Sequence, residues 1–261
     1  IISSPLYVDG EWRLHSLVGM APETSIMAVK SLWIGDIFFG WMWASGFDFN
    51  VTDSKWYYTG EHKADIISNS WGISEWPFYL SAGVGYDALS LIEDALSLPS
   101  FLYPDYPGTV FVHSVGNGGF GYGTMTSPGF SSLSISVGAT TAMHIMEFWG
   151  RHHSLASHYG GPSTFRDDPI SWTNRGPNAL GEPKPDVMSI GFWGYVSGPI
   201  NLGEGDGFTS SEIFGGGSLA TPLTAGGAAL VIQSLKTAGI KHTPQMVKTI
   251  IQSTADDMSN D

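Results

Sequence analysis

Gly215-Gly216-Gly217-Ser218-Leu219-Ala220-Thr221-Pro222 is the stretch on which the fold turns. A serine follows three glycines and opens a run in which Ala220, Thr224, Gly227, Ala228, Val231, Ile232 and Leu235 recur at helical spacing. This predicts the Ser218 hydroxyl at a helix N-terminus. There, free N–H groups and the positive end of the helix dipole favour negative charge developing nearby. The glycines let another stretch of backbone approach closely. A serine that merely caps a helix after a loop has the same local pattern. The segment alone therefore leaves both readings open.

Working outward, residues 25–30, 65–70, 109–115, 132–138 and 185–190 are short runs rich in Ile and Val. They read as strands covered on both faces. Helical patterns lie between them. Residues 36–46 form one, and residues 84–98 another, with Leu89, Ile92 and Leu96 on one face and Pro99 as its stop. The run after Ser218 is a third. Thr243-Pro244 opens a last helix as cap and first-turn proline. The alternation predicts an α/β fold, a doubly wound, mainly parallel sheet flanked by helices, in a single domain over residues 1–261. Residues 118–129 and 191–207, rich in Gly and aromatics, read as long loops. The apolar stretch 32–49 contains Asp36 and three glycines, so it reads as a buried helix, and no membrane span is expected there.

Composition narrows the function classes. The 261 residues carry 11 Lys+Arg against 24 Asp+Glu, a net charge of −13, which repels phosphate backbones, so nucleic acid is not an expected partner. With no cysteine, disulfides, thiolate metal sites and thiol nucleophiles are excluded. The 34 glycines, with only 13% charged and 13% aromatic residues, fit a loop-rich globular enzyme rather than disorder. No Gly-Lys-Ser/Thr occurs, which removes the P-loop reading. Gly216-Gly217-Ser218-Leu219-Ala220 nearly fits the nucleophile elbow of α/β-hydrolases. Only His242 follows that serine, however, and Asp256 and Asp257 come after the histidine, in the wrong order.

Two further segments carry chemistry-bearing residues. In Val110-Phe111-Val112-His113-Ser114-Val115-Gly116-Asn117-Gly118-Gly119 a strand runs into Gly-Asn-Gly-Gly. Asn117 reads as an oxyanion donor beside Ser218 or as an ordinary Asn-Gly turn. Ala64-Asp65-Ile66-Ile67-Ser68-Asn69-Ser70-Trp71-Gly72 is a strand whose edge suits an extended peptide, or an ordinary core strand. His113 reads as a substitute base or, more blandly, as a packed histidine. His152, His153 and His158 read as a surface loop, because no acidic residue stands at the i+4 helical spacing of a zincin site, and no metal ligand is assigned. Trp33, Phe38, Phe39, Trp41 and Trp43 read as helix packing first and as a hydrophobic subsite second.

Together these segments resemble the subtilase family of serine proteases. Ser218 sits in a close copy of the family's Gly-Thr-Ser-Met-Ala-Thr-Pro motif, and Asn117 in its Ala-Gly-Asn-x-Gly motif. Ser70-Trp71-Gly72 is similar to its substrate-binding strand. Gly19-Met20-Ala21-Pro22 with Ile26-Met27-Ala28-Val29-Lys30, Ser136-Val137-Gly138-Ala139-Thr140, Ser171-Trp172-Thr173-Asn174-Arg175-Gly176-Pro177 and Lys184-Pro185-Asp186-Val187 also match, in family order. The insert between Gly138 and Trp172 and the tail helix after His242 resemble the pyrolysin and tripeptidyl-peptidase II branch. Near the serine, Gly217 stands where the family has Thr, which is expected to loosen the loop, and Pro222-Leu223-Thr224 stands for Pro-His-Val.

The resemblance implies a subtilisin-like serine endopeptidase working by acyl transfer to Ser218. Asn117 would stand in the oxyanion hole, peptide substrate would lie against Ser70, Trp71 and Gly72, and Ser114, Val115 and Gly116 would sit in the pocket wall. No histidine lies in a His-Gly-Thr motif, and Asp9-Gly10 stands too close to Ala21-Pro22 to be the triad aspartate. Ile1-Ile2-Ser3 is similar to the family's residues just past the catalytic histidine. The chain is therefore expected to begin just after that histidine, with Asp and His on an upstream segment of the same protein. The alternative is a catalytically inactive subtilase-like peptide-binding or structural domain. Calcium is implied by the resemblance, but no calcium loop stands in the sequence, so that point is open. An exported or cell-surface location is expected, with Asn50-Val51-Thr52 as a glycosylation acceptor; the tripeptidyl-peptidase branch leaves a cytoplasmic one open.

Overall fold

The computed structural model describes residues 2–8, 11–17, 19–31, 33–73, 87–119, 121–141, 169–192, 194–197 and 211–258. The chain opens with an antiparallel hairpin, β1 (Ile2–Val8) and β2 (Glu11–Leu17). Helix α1 (Ile34–Ala44) leads through Gly46, at φ 90°, into a second hairpin, β3 (Phe47–Asn50) and β4 (Lys55–Tyr58). Next come β5 (Ile66–Asn69), α2 (Ala88–Ser97), β6 (Val110–Ser114), β7 (Ile135–Thr140) and β8 (Val187–Ile190). A third hairpin, β9 (Gly194–Ser197) and β10 (Ser211–Phe214), precedes α3 (Gly217–Thr237) and α4 (Pro244–Thr254).

β5, β6, β7 and β8 form one parallel sheet in that order. Every residue of β6 and β7 is buried, as Val- and Ile-rich strands covered on both faces should be. One face carries Val110, Val112, Ile135, Val137 and Val187 against Ala220, Ala225, Ala228 and Ile232 of α3 and Val247 of α4. The other carries Phe111 against Ile37 and Trp41 of α1, Leu89 and Leu96 of α2, and Tyr106. The expected α/β architecture, a parallel sheet between helical layers, is therefore the one observed. α2 starts where Asp87 caps it, its carboxylate accepting from Leu89 N and Ser90 N at 3.0 and 3.1 Å. Thr243 caps α4 in the same way. α3 is long and apolar enough to cross a membrane by length and composition, yet it packs along all four strands of the sheet.

Three expectations are corrected. Residues 25–30 form no strand: Ile26 is 88% exposed and, among the described residues, no strand runs alongside to supply a ladder, without which extended backbone is not a strand. Part of the expected loop 191–207 is β9, which finds its partner in β10. The expected strand 132–138 begins only at Ile135, because the carbonyls of residues 131, 132 and 134 turn toward lysine side chains instead of a neighbouring strand. The segments containing His144, His152, His153 and His158 lie outside the described residues.

Candidate active site

Ser218 is the second residue of α3, whose N-cap Gly216 has φ 127°, a conformation that side chains other than hydrogen rarely adopt. Four N–H groups at such a terminus lack helical partners. Here Gly216 N bonds to Gly191 O at 2.7 Å, Gly217 N to Asn117 Oδ1 at 2.8 Å, and Leu219 N to Gly216 O at 3.0 Å. The Ser218 N–H alone of the four takes no partner among the described residues.

Asn117 is oriented by the same contact. A backbone N–H can be met only by an acceptor, so Oδ1 must face Gly217 and the Nδ2 donor must point the other way. The loop that carries Asn117 is pinned from beneath by Asn174, fully buried, which donates to Val115 O at 3.0 Å and accepts from Gly118 N at 2.7 Å. Sequence reading did not single out Asn174 as a site-building residue. Its partners lie 56 and 59 positions away, and nothing local marks them. Gly116, at φ 104°, passes so close to Asn174 Nδ2 that a side chain there would collide with it.

Gly217 is not a loosened position, contrary to expectation. A Cβ there would run into Ser114 Oγ and stand 3.2 Å from Asn117 Oδ1. Ser114 Oγ is itself held, accepting from Gly116 N at 3.1 Å. The glycine that replaces the family's threonine is thus the residue Ser114 demands.

Ser70, Trp71 and Gly72 continue β5, which is an edge strand of the four-stranded sheet. Ser218 Oγ donates to Ser70 O at 3.0 Å, and Ser70 Oγ donates to Ser218 O at 3.3 Å. That second bond has a cause in the sequence. Pro222 has no N–H, so the Ser218 carbonyl loses its usual helical donor and Ser70 supplies one. Gly72 is fixed by a close pass: a Cβ there would collide with Thr126 Oγ1, while Ile73 N bonds to Ser127 O at 2.8 Å. Val115 is fully buried with Met125 and Phe130, and its N–H and carbonyl are bound within the fold, so it shapes the wall from behind. The structure thus brings Ser218, Asn117, Ser114 and Ser70 together, with Gly116 and Gly72 supporting them.

His113 stands elsewhere. Successive strand residues face opposite sides. Ser114 faces α3, and His113 therefore faces α1 and α2. Its Nε2 lies 3.0 Å from Glu93 Oε2, both side chains fully buried; the distance is that of a hydrogen bond, although the alignment is not. Trp41 and Trp71 stand edge-on to the imidazole at 5.9 and 5.6 Å. Burial pushes the Glu93 carboxyl up, and His113 offsets part of that rise. Asn69 Oδ1 accepts from both tryptophan Nε1 atoms, at 3.3 and 3.1 Å. Of the expected aromatic set, Trp41 is core, Phe38 packs beside it, Trp43 stacks on His62, Phe39 meets Phe49 and Trp56, and Trp33 is exposed. His62, His113 and His242 are thus engaged away from Ser218; the last stands 3.9 Å from Asp65. Among the described residues no group of three or more His, Cys, Asp or Glu side chains stands together to hold a metal ion.

Comparison with known proteins gives the same architecture and order. Pyrolysin of Pyrococcus furiosus is 30% identical over 265 residues, covering 95% of this chain and 17% of its own length. Tripeptidyl-peptidase 2 of Oryza sativa subsp. japonica is 28% identical over 201 residues, covering 77% of this chain and 13% of its own. The chain therefore spans less than a fifth of either relative. The solved structure of the prenylagaramide maturation protease PagA aligns at a TM-score of 0.53 and 20% identity, over 88% of this chain and 60% of that one, a likeness of fold. The sequence model of the subtilase family matches residues 7–261. Since that match takes in all but the first six residues, the chain belongs to the subtilase family.

Proposed function

We propose that the protein is a serine endopeptidase that cleaves peptide bonds by acyl transfer to Ser218. The observation that carries this reading is the one N–H at the head of α3 that takes no partner among the described residues, that of Ser218, beside an asparagine whose oxygen is already spent on Gly217. Two donors, the Ser218 N–H and Asn117 Nδ2, are thus available to an oxyanion. In the proposed reaction Ser218 Oγ leaves its bond to Ser70 O and attacks the scissile carbonyl carbon. Its proton passes to a histidine, and the carbonyl π electrons move onto the oxygen held by the two donors. Collapse expels the amine, which takes the proton, and water then releases the acyl group by the same route. The substrate lies extended along Ser70-Trp71-Gly72, with Ser114, Val115 and Gly116 in the pocket wall. The histidine and its aspartate come, in this proposal, from residues upstream of Ile1. Export or cell-surface display belongs to the same reading; Asn50 is exposed at the end of β3, its side chain accepting from Thr52 N at 2.9 Å.

Fluorophosphonate labelling, located by peptide mass, tests it. The chain is compared with a form extended upstream through the expected Asp and His, and with Ser218→Ala in that form. Labelling of Ser218 in the extended form, lost in Ser218→Ala, is the expected result. Absence of labelling from both folded forms sinks the protease reading and favours the inactive peptide-binding domain.

A further inference from the structure

We propose that Asn117-Gly118 is a chemical modification site, where the asparagine amide converts to aspartate or isoaspartate through a succinimide, and that Asn174 is the lock that holds it unreacted. This is the only Asn-Gly pair in the 261 residues. A glycine on the C-terminal side matters because it has no side chain to shield its nitrogen. In the reaction the Gly118 nitrogen attacks Asn117 Cγ. An N–Cγ bond forms and the Cγ–Nδ2 bond breaks. Nδ2 leaves as ammonia, taking the proton that Gly118 N gives up. Water then opens the ring at either carbonyl, which leaves the chain on its old path as aspartate or routed through Cβ as isoaspartate. The sum is amide plus water giving acid plus ammonia. Asn117 and Gly118 are both exposed, so water reaches them.

The fold imposes this labile pair. Asn117 is needed because its Oδ1 meets Gly217 N. Gly118 is needed because a Cβ there would stand 3.1 Å from Asn174 Oδ1, tighter than an ordinary contact. The lock is the segment that causes this close pass. Gly118 N donates to Asn174 Oδ1 at 2.7 Å, and Asn174 Nδ2 donates to Val115 O at 3.0 Å. Asn174 N donates to Gly116 O at 3.2 Å, and Gly119 N to Trp172 O at 2.9 Å. Four bonds thus tie residues 115–119 to residues 172–174. The attacking nitrogen has to give up the proton that Asn174 holds, and the amide it attacks is drawn toward Gly217. Ring closure therefore has to break the Gly118–Asn174 bond first. One consequence rests on the proposed function. Conversion replaces the Nδ2 donor by a carboxylate oxygen, which can only accept. The oxyanion would lose one of its two donors and meet a negative charge instead.

The test is the rate of amide-to-acid conversion at Asn117, read by peptide mass during incubation in mildly alkaline buffer. Wild type, Asn174→Ala and Glu93→Ala are compared, all folded. Glu93 lies on the other face of β6, so its variant weakens the fold without touching the lock. Asn174→Ala should convert about tenfold faster than wild type, the effect of one lost hydrogen bond on a barrier, and Glu93→Ala at the wild-type rate. An Asn174→Ala variant no faster than wild type, or a Glu93→Ala variant as fast as Asn174→Ala, overturns the proposal. Should either variant not fold, wild type decides: native protein should convert far more slowly than the chain unfolded in urea, and equal rates overturn the lock. These readings need no peptidase activity, so they stand apart from the protease reading. In the form extended upstream, fluorophosphonate labelling of Ser218 should fall in step with conversion at Asn117. Full labelling of converted protein overturns the consequence for the oxyanion, whereas no labelling even at the outset overturns the protease reading alone.

Discussion

The two faces of β6 are built by different means. Toward α3, Ser114 meets glycine, backbone N–H groups and one asparagine, and the positions are set by main-chain hydrogen bonds and by close passes that exclude a Cβ. Toward α1 and α2, Phe111 and His113 meet Trp41, Trp71, Leu96 and Glu93, and the positions are set by large rings around a buried polar pair. The contrast teaches where precision comes from. A site that must aim N–H groups at one oxygen uses backbone, which has few degrees of freedom. A wall that only has to hold Trp71 and β5 in place can use side-chain bulk. Trp71 joins the two, because it lies in the strand proposed to hold substrate while its ring stacks on Trp41 at 5.9 Å.

The most damaging break falls on the aromatic side. Glu93→Ala removes one partner of a fully buried pair and strands His113 in an apolar site. The expected loss is about 3–5 kcal/mol, read from urea unfolding. A loss under about 1 kcal/mol would mean that the pair is incidental and that the rings alone hold the wall. The next break falls on the backbone side. Gly217→Thr restores the family's residue yet overpacks against Ser114, at an expected cost of about 1–3 kcal/mol. Ser114→Ala in the same chain should return most of that loss, giving a coupling energy of about 1 kcal/mol or more in a double-mutant cycle. Simple additivity would show that the two positions do not sense each other.

The same contrast explains what was legible in the sequence. Backbone-built positions demand particular small residues, so Gly215–Ser218, Gly116-Asn117 and Gly72 stood out as motifs. The fold's parallel strands were legible because Val110, Val112, Ile135 and Val137 recur at strand spacing in the short buried runs of β6 and β7. The start of β7 was misplaced by three residues because the serines before it serve lysines rather than a ladder. Hairpins β1–β2 and β3–β4 were not anticipated; each is a local pairing outside the buried sheet, without its continuous Val and Ile runs. The His113–Glu93 pair was not found, though a signal existed. Leu89, Glu93 and Leu96 fall on one helical face, and a carboxylate on an apolar face needs a buried partner.

The smallest effect sharpens the comparison most, because it asks whether the buried pair is ionic. Glu93 is flanked by His113 across the strand, Asp94 beside it on α2 and the Ser134 hydroxyl, and burial outweighs these in pushing its carboxyl up. A carboxyl raised in the folded state binds its proton more tightly there than in the unfolded chain. The stability it contributes is therefore full below the ordinary carboxylate range and is lost as pH rises through the folded value. Glu93→Gln keeps the shape of the protonated acid and cannot titrate. Wild type and variant should unfold at similar urea concentrations near pH 4. By pH 8 the variant should be the more stable, by on the order of 1 kcal/mol. If the wild type instead gains on the variant as pH rises, the carboxylate form is the one the fold prefers. The aromatic wall would then be held by an ion pair rather than by packing around a neutral acid.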